Sequence, residues 1–451
     1  MVYNIRKNGA LGDGKTVNTR IIQNTIDQCH LAGGGTVLIE DGIYVSGTLF
    51  LRSNVILEIS QGAVLKASPD ITDYAENTHH NRYRNEKALD RCFLYGEDQE
   101  NITICGKGRI EGNSEAFPND GSIYRPMLLR FLSCERIRIE DVQLCDAAAW
   151  TTAFLDSSYI WVSRVYIHNE KRYNGDGLDF DGCAHVFVDN CSITGTDDNL
   201  CLQSSSKEYP VKDIHISNCE FSSVCAGIRI GLKSIGDIHN VVISNCTMDR
   251  VWREGIKIEC TEGGSISEIS IQNVTMRDVT RPIFMILNNR FKTDDYGSSV
   301  ELERMPSIGR MENITIANLM AVDSEEMKNV HYRFTDDIMG EPKFNGIRID
   351  AEERHPICGV ILQNIRYHSI GGVKKTDIPE NYPRVLDQLL YPDSETSENY
   401  YPDWSRAAYM DIRNVRDLVL DNIRFSSEEK DEREPYYVEE CLVGRQDVEV
   451  K

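Results

Sequence analysis

Between Asn174 and Ser206 the chain reads NGDGLDFDGCAHVFVDNCSITGTDDNLCLQSSS, which gathers Asp176, Asp179, Asp181, Asp197 and Asp198 into two short segments. Carboxyl groups crowded together repel when ionised, so such a group keeps a proton, faces a cation, or divides into an acid and a base. Three uses fit. Glycosidic cleavage takes one carboxylic acid to protonate the leaving oxygen and one carboxylate to activate water. A calcium site takes several carboxylate oxygens. Aspartates also cap turns with no chemistry at all. Asp176 and Asp197 are 21 residues apart. A chain that winds about once in that stretch sets them one above the other, roughly 5 Å between backbones, with Asp198 alongside.

The winding is written into the surrounding sequence. VFVDNCSI, IHISNCEF, VVISNCTM and ISIQNVTM recur, followed by ITIANLMA, VILQNIRY and LVLDNIRF. Each is a short run of alternating, often β-branched residues, an Asn, and a second run, the pattern of two strands meeting at a bend. The asparagines are Asn190, Asn218, Asn245, Asn273, Asn318, Asn364 and Asn422, and the first four are 28, 27 and 28 residues apart. That is the length of one solenoid coil, and the wider later gaps predict insertions. Stacked coils turn the asparagines into a ladder of amides bonding one another. Cys191, Cys219 and Cys246, each following a ladder Asn, should fill the interior as small apolar side chains.

These signals predict an all-β fold: a single-stranded, right-handed parallel β-helix with an N-terminal capping helix, as one domain over residues 1–451. The cap spans about 1–35, with Ile21, Ile22, Thr25, Ile26 and Cys29 on one helical face. The solenoid spans about 36–425. Long loops expected at 75–90 and 374–409 could wall a cleft; His79, His80, Arg82 and Arg84 in the first are further binding candidates, and Tyr400, Tyr401 and Trp404 in the second could stack on sugar rings or pack the loop onto the helix. The acidic segment 426–451 reads as a solvated tail or part of a contact between copies in a homo-oligomer.

Several classes are set aside by composition. With 49 basic against 71 acidic residues the net charge is −22, which repels nucleic acid and anionic lipid. No stretch of 18 apolar residues suggests a membrane span. The first residues lack an apolar signal core, and the 14 cysteines are scattered, so a cytoplasmic setting with reduced thiols is expected. GALGDGKT, from Gly9, satisfies a phosphate-loop pattern, but the alternating strands and helices that would support a nucleotide site do not follow it. No cofactor and no metal are called for. The partner expected is an oligosaccharide.

The acidic segments resemble those of glycoside hydrolase family 28, the polygalacturonase-like, pectin-degrading enzymes. That family carries N-T-D, then G-x-D-D about a coil later, then G-H-G and R-I-K. Here NGD at Asn174 to Asp176 matches the first except in its middle residue, and GTDD at Gly195 to Asp198 matches the second. The similarity extends from about residue 3 to about residue 425. It implies an inverting glycoside hydrolase with Asp197 as general acid and Asp176 and Asp198 holding the water, Asp179 and Asp181 in support. The G-H-G position reads CAGIRIG, with Ala226 in place of His. The R-I-K position reads GIKIEC, with Lys257 for Arg and Glu259 for Lys. In the family those two cations hold the uronate carboxylate beside the cleaved bond, so one of them is reversed in charge here. Either the sugar there is neutral, or Arg229 and Lys257 bind its carboxylate differently, or those two cations serve to neutralise the aspartates. Asn174, Arg229, Lys257, Glu259, Arg290 and Gln203 form the expected substrate-binding set. The expected activity is exo-cleavage of pectin-derived or related plant oligosaccharides. A calcium-dependent polysaccharide lyase and a non-catalytic carbohydrate-binding β-helix are the alternatives.

Overall fold

The computed structural model describes residues 1–76, 78, 90–119, 124–289, 307–329, 346–377 and 405–451. Its strands run parallel to their partners, coil upon coil, and the fold is a parallel β-helix. The chain divides into two compact units, Met1–Asp197 with Lys212–Cys219, and Asp198–Val211 with Glu220–Lys451.

In the first unit, residues of like size stack in register. Leu57, Ile104, Ile139, Val162, Val188 and Ile216 pair in one column, and Leu65, Ile110, Leu144, Ile167 and Ile193 in another. All are buried. In a parallel ladder each side chain meets the same position one coil on, so a β-branched residue packs best on another of its shape. Aromatics obey the same rule. Phe131, Phe154 and Phe180 stack at centroid distances of 5.1 and 4.9 Å, a geometry worth about 0.5–1.5 kcal/mol per pair beyond area burial.

The helix Thr19–Leu31 buries Ile22, Thr25, Ile26 and Cys29, leaving Ile21 half-buried. Gln23 accepts from the Phe50 backbone N–H at 2.7 Å and donates to its carbonyl at 3.0 Å. Those are the bonds a neighbouring strand would make, so the helix supplies the missing partner of a sheet edge. Residues ahead of the helix already belong to the sheet: Val2–Asn4 pairs with Gly35–Ile39, and Asp13–Val17 with Gly42–Ser46. Asp13 accepts from the N–H groups of Lys15 and Thr16 and from the Thr16 hydroxyl. Those backbone hydrogen bonds, Thr16 first, draw its carboxyl down to about 2. The donors that would cradle a phosphate are thus bound to a carboxylate.

The second unit repeats the scheme. Ile243, Ile271, Ile316, Leu362 and Leu420 form one buried column, and Ile230, Ile258, Met285, Ile349 and Ile412 another. The ladder asparagines all have φ between 54° and 57°, the left-handed conformation that Asn tolerates better than most residues. The amide nitrogens of Asn273, Asn318, Asn364 and Asn422 donate to the amide oxygens of Asn245, Asn273, Asn318 and Asn364 at 2.8–3.0 Å. These links span 28, 45, 46 and 58 residues, so later coils carry insertions, as expected. Cys191, Cys219 and Cys246 are buried, as expected of interior fillers.

Two expected boundaries move. The acidic segment after 425 is no loose tail: Val415–Glu429 runs on as a strand, and Glu434–Glu439 and Leu442–Val450 pair with Ala407–Arg413 and Val415–Glu429. Most of its charges face outward, where they cost a strand little, while Arg433 is buried and donates to Asp431 and to the Ser405 carbonyl. The second expected loop ends early, because Ala407–Arg413 is itself a strand. His79, His80, Arg82, Arg84, Tyr400, Tyr401, Trp404 and Arg290 lie outside the described residues.

Candidate functional site

The first unit brings together the NGD and GTD segments. The strand Tyr166–Asn169 pairs with Ser192–Gly195, and just beyond it the Gly175 N–H donates to the Thr196 hydroxyl at 3.0 Å. A Cβ on Gly175 would stand 2.6 Å from both the Asn169 carbonyl oxygen and that hydroxyl, so only glycine lets the two turns close. Asn174, at φ 55°, directs its Nδ2 toward Asp197 Oδ2 at 3.3 Å while its Oδ1 accepts from Arg125 Nη2 at 2.9 Å. Arg125 is 1% exposed and also donates to the Tyr173 carbonyl at 2.6 Å. A buried guanidinium therefore fixes the amide that touches Asp197. Asp176 is buried and its backbone carbonyl accepts from the N–H and hydroxyl of Thr151. Asp179 and Asp181 are buried on Leu178–Asp181, beside Ala153 and Leu155 of the preceding coil. Asp197 is half-buried.

In the second unit Asp198 is 2% exposed. Its Oδ2 accepts from Arg229 Nη1 at 2.7 Å and its Oδ1 from the Ala226 N–H at 3.1 Å. Burial pushes its carboxyl up, but the charges of Arg229 and Lys257 and the hydrogen bonds from Arg229 and Cys225 outweigh it and hold the group below the usual carboxylate range. Where the family has a histidine side chain, the backbone of Ala226 thus grips Asp198 directly. Ligand atoms of Asp197, Asp198 and Cys225 lie within 4.8 Å of one another, close enough to hold a metal ion, but the Arg229 guanidinium already matches the Asp198 charge.

Arg229 also donates from Nε to Glu259 Oε2 at 3.0 Å. Lys257, 1% exposed, lies 3.7 Å from Glu259 Oε1 and 3.3 Å from Glu254 Oε2, and Glu254 Oε1 accepts from Arg281 Nη1 at 2.8 Å. Desolvation works against the Lys257 ammonium, yet Glu254 and Glu259 win and raise it above its ordinary value. Burial likewise raises Glu254, and Lys257 and Arg281 outweigh it and draw it down. Lys257 and Arg281 flank the Phe284 ring at 5.8 and 5.9 Å. Gln203, 7% exposed, donates to Cys201 Sγ at 3.0 Å.

Arg125, Glu254 and Arg281 were not among the residues expected from sequence. For Glu254 and Arg281 a signal existed: they pair in register one coil apart, as Arg229 and Lys257 do. Charged residues at the repeat spacing on inward strands mark an internal ion pair. Arg125 has no such signature, because 49 residues separate it from Asn174.

Comparison with known proteins gives a consistent picture. A family model described as glycosyl hydrolases family 28 matches residues 53–385. A probable polygalacturonase of Vitis vinifera is 23% identical over 390 residues, which is 81% of this chain and 74% of that protein. An exo-poly-alpha-D-galacturonosidase of Dickeya chrysanthemi is 23% identical over 383 residues, 72% of this chain and 62% of its own length. The solved family 28 exopolygalacturonase of Yersinia enterocolitica shares the fold with a TM-score of 0.72 at 19% identity, over 98% of this chain and 78% of that one.

Proposed function

The chain belongs to glycosyl hydrolases family 28 and is a hydrolase of glycosidic bonds, and from that premise we propose that it is an inverting, exo-acting enzyme on pectin-derived oligosaccharides. Asp197 is the general acid, giving its proton to the leaving oxygen. Asp176 and Asp198 hold the attacking water and take its proton, so that water enters from the face opposite the departing sugar. The names of the relatives support the substrate class, and the Dickeya enzyme's name supports exo action.

The observation that carries the assignment of roles is the unlike setting of two neighbouring carboxyls. Asp198 is buried, accepts from a backbone N–H, and is kept ionised, as a base must be, by the Arg229 guanidinium and the charge of Lys257. Asp197 is half-buried and accepts from the Asn174 amide at 3.3 Å, an uncharged donor that favours the ionised form less than the guanidinium at Asp198 does. A reducing compartment suits fourteen cysteines scattered along the chain, and short imported oligosaccharides are the substrates we expect there.

The test is reducing-sugar release from a panel of oligogalacturonides, mixed pectic oligosaccharides and aryl glycosides, with the first anomer formed followed by NMR. Asp197→Asn should lower kcat by a factor of about 1,000 or more with chelator leaving the wild type unaffected, and products should appear one unit at a time. Full activity in Asp197→Asn overturns the acid assignment. Ultraviolet-absorbing unsaturated products that vanish with chelator would instead establish a lyase.

A further inference from the structure

The positions at which the family binds a uronate carboxylate are, in this chain, occupied by an internal charge lattice. Asp198, Arg229, Glu259, Lys257, Glu254 and Arg281 alternate in sign along successive contacts of 2.7, 3.0, 3.7, 3.3 and 2.8 Å. Three carboxylates meet three cations, so the formal charge of the six sums to zero. Both inner cations are shared between two acids: Arg229 between Asp198 and Glu259, Lys257 between Glu259 and Glu254. Glu259 and Lys257 are each 1% exposed. A sugar carboxylate arriving at Arg229 would compete with Glu259 for a guanidinium already committed, in a setting too dry to screen the repulsion.

We propose that Glu259 determines specificity at the leaving-group subsite: by engaging Arg229 and Lys257 it makes that subsite one for a sugar uncharged at C6. This rests on the hydrolase reading above. Glu259 acts through the two cations and is a positioning residue. An uncharged ring still finds the partly exposed edge of Arg229, whose side chain is 13% accessible, as a hydroxyl partner. The seventh charged group here, Arg253, is half-buried, donates to Cys225 Sγ at 3.3 Å and helps keep Glu254 ionised, so its part is separated by a variant of its own.

The experiment compares two substrates of identical glycone and linkage whose leaving sugar is galacturonate in one and its methyl ester in the other. The wild type should prefer the ester in kcat/KM by about tenfold or more, and Glu259→Gln should move that ratio about tenfold toward the free acid. A merely structural role would lower both values alike. A wild-type preference for the free acid, an unchanged ratio in Glu259→Gln, or a free-acid preference that only Arg253→Gln removes would each overturn the proposal. If no glycan is cleaved, the hydrolase reading falls, and calorimetry of the wild type with galacturonic acid and its methyl ester decides this point separately. Tighter binding of the ester supports it; equal binding, tighter binding of the acid, or binding of neither overturns it.

Discussion

Replacing Arg229 by Gln tests the electrostatics of the site most directly. The change removes the charged partner of Asp198 at 2.7 Å and that of Glu259 at 3.0 Å while keeping most of the side-chain volume. Glu259 retains Lys257, and Asp198, 2% exposed, retains the Ala226 N–H and the charge of Lys257 but loses the guanidinium at its Oδ2. Breaking a buried pair from one side costs about 3–5 kcal/mol. With an unfolding entropy of about 2.1 cal/mol/K per residue, a chain of 451 residues loses roughly 1 °C of Tm per kcal/mol, so a fall of about 3–5 °C near neutral pH is expected. The pH dependence carries the sign. In the wild type the folded Asp198 titrates below its unfolded value, so its contribution is present above the ordinary carboxylate range and is lost as pH falls through the lowered value. Without Arg229, burial weighs more heavily against the charge and the folded group titrates higher than in the wild type. The loss of stability, and the acid limb of kcat/KM if Asp198 serves as base, should both move to higher pH. Melting curves and initial rates between pH 3 and pH 8 measure both. An acid limb and a Tm that match the wild type would refute the reasoning.

Two further substitutions probe the first unit. Asn174→Ala cuts the link from Arg125 to Asp197; kcat should fall roughly 10- to 100-fold with KM little changed, and an unaltered kcat would show that Asp197 needs no such support. Phe154→Ala removes the middle ring of the Phe131, Phe154 and Phe180 stack, and denaturant titration should show a loss of about 3–5 kcal/mol.

The solenoid was legible because its signal is repeated: an Asn recurs after 28, 27 and 28 residues, each time between two runs of alternating, often β-branched residues. The acidic segments were legible for a similar reason, since a glycine, two adjacent aspartates and an earlier NGD are local patterns. Long-range partners were not. Arg125 reaches Asn174 only because the coils bring their turns together, and sequence spacing says nothing about which turn lies beside which. The charges after residue 425 suggested solvent exposure and so concealed a strand, because in a solenoid an outward-facing charge and a strand are compatible. The phosphate-loop pattern misled in the opposite sense: its residues are present, but Asp13 occupies the N–H groups that the pattern promises to an anion. The ion-pair lattice was half visible. Lys257 and Glu259 stood out as departures from a familiar pattern, with Arg229 beside them, whereas Glu254 and Arg281 stand out only when their separation is compared with the repeat length, which the structure shows as register.

The asparagine row from Asn245 to Asn422 has a direction. Each amide nitrogen reaches back to the coil before it, and each amide oxygen waits for the coil after. Spontaneous hydrolysis of one amide to a carboxylate would exchange a donor for an acceptor, so the rung facing backward would break while the rung facing forward survived. Chemical ageing of this protein should therefore write itself along that row as a polarised defect, loosening one flank of the altered coil ahead of the other.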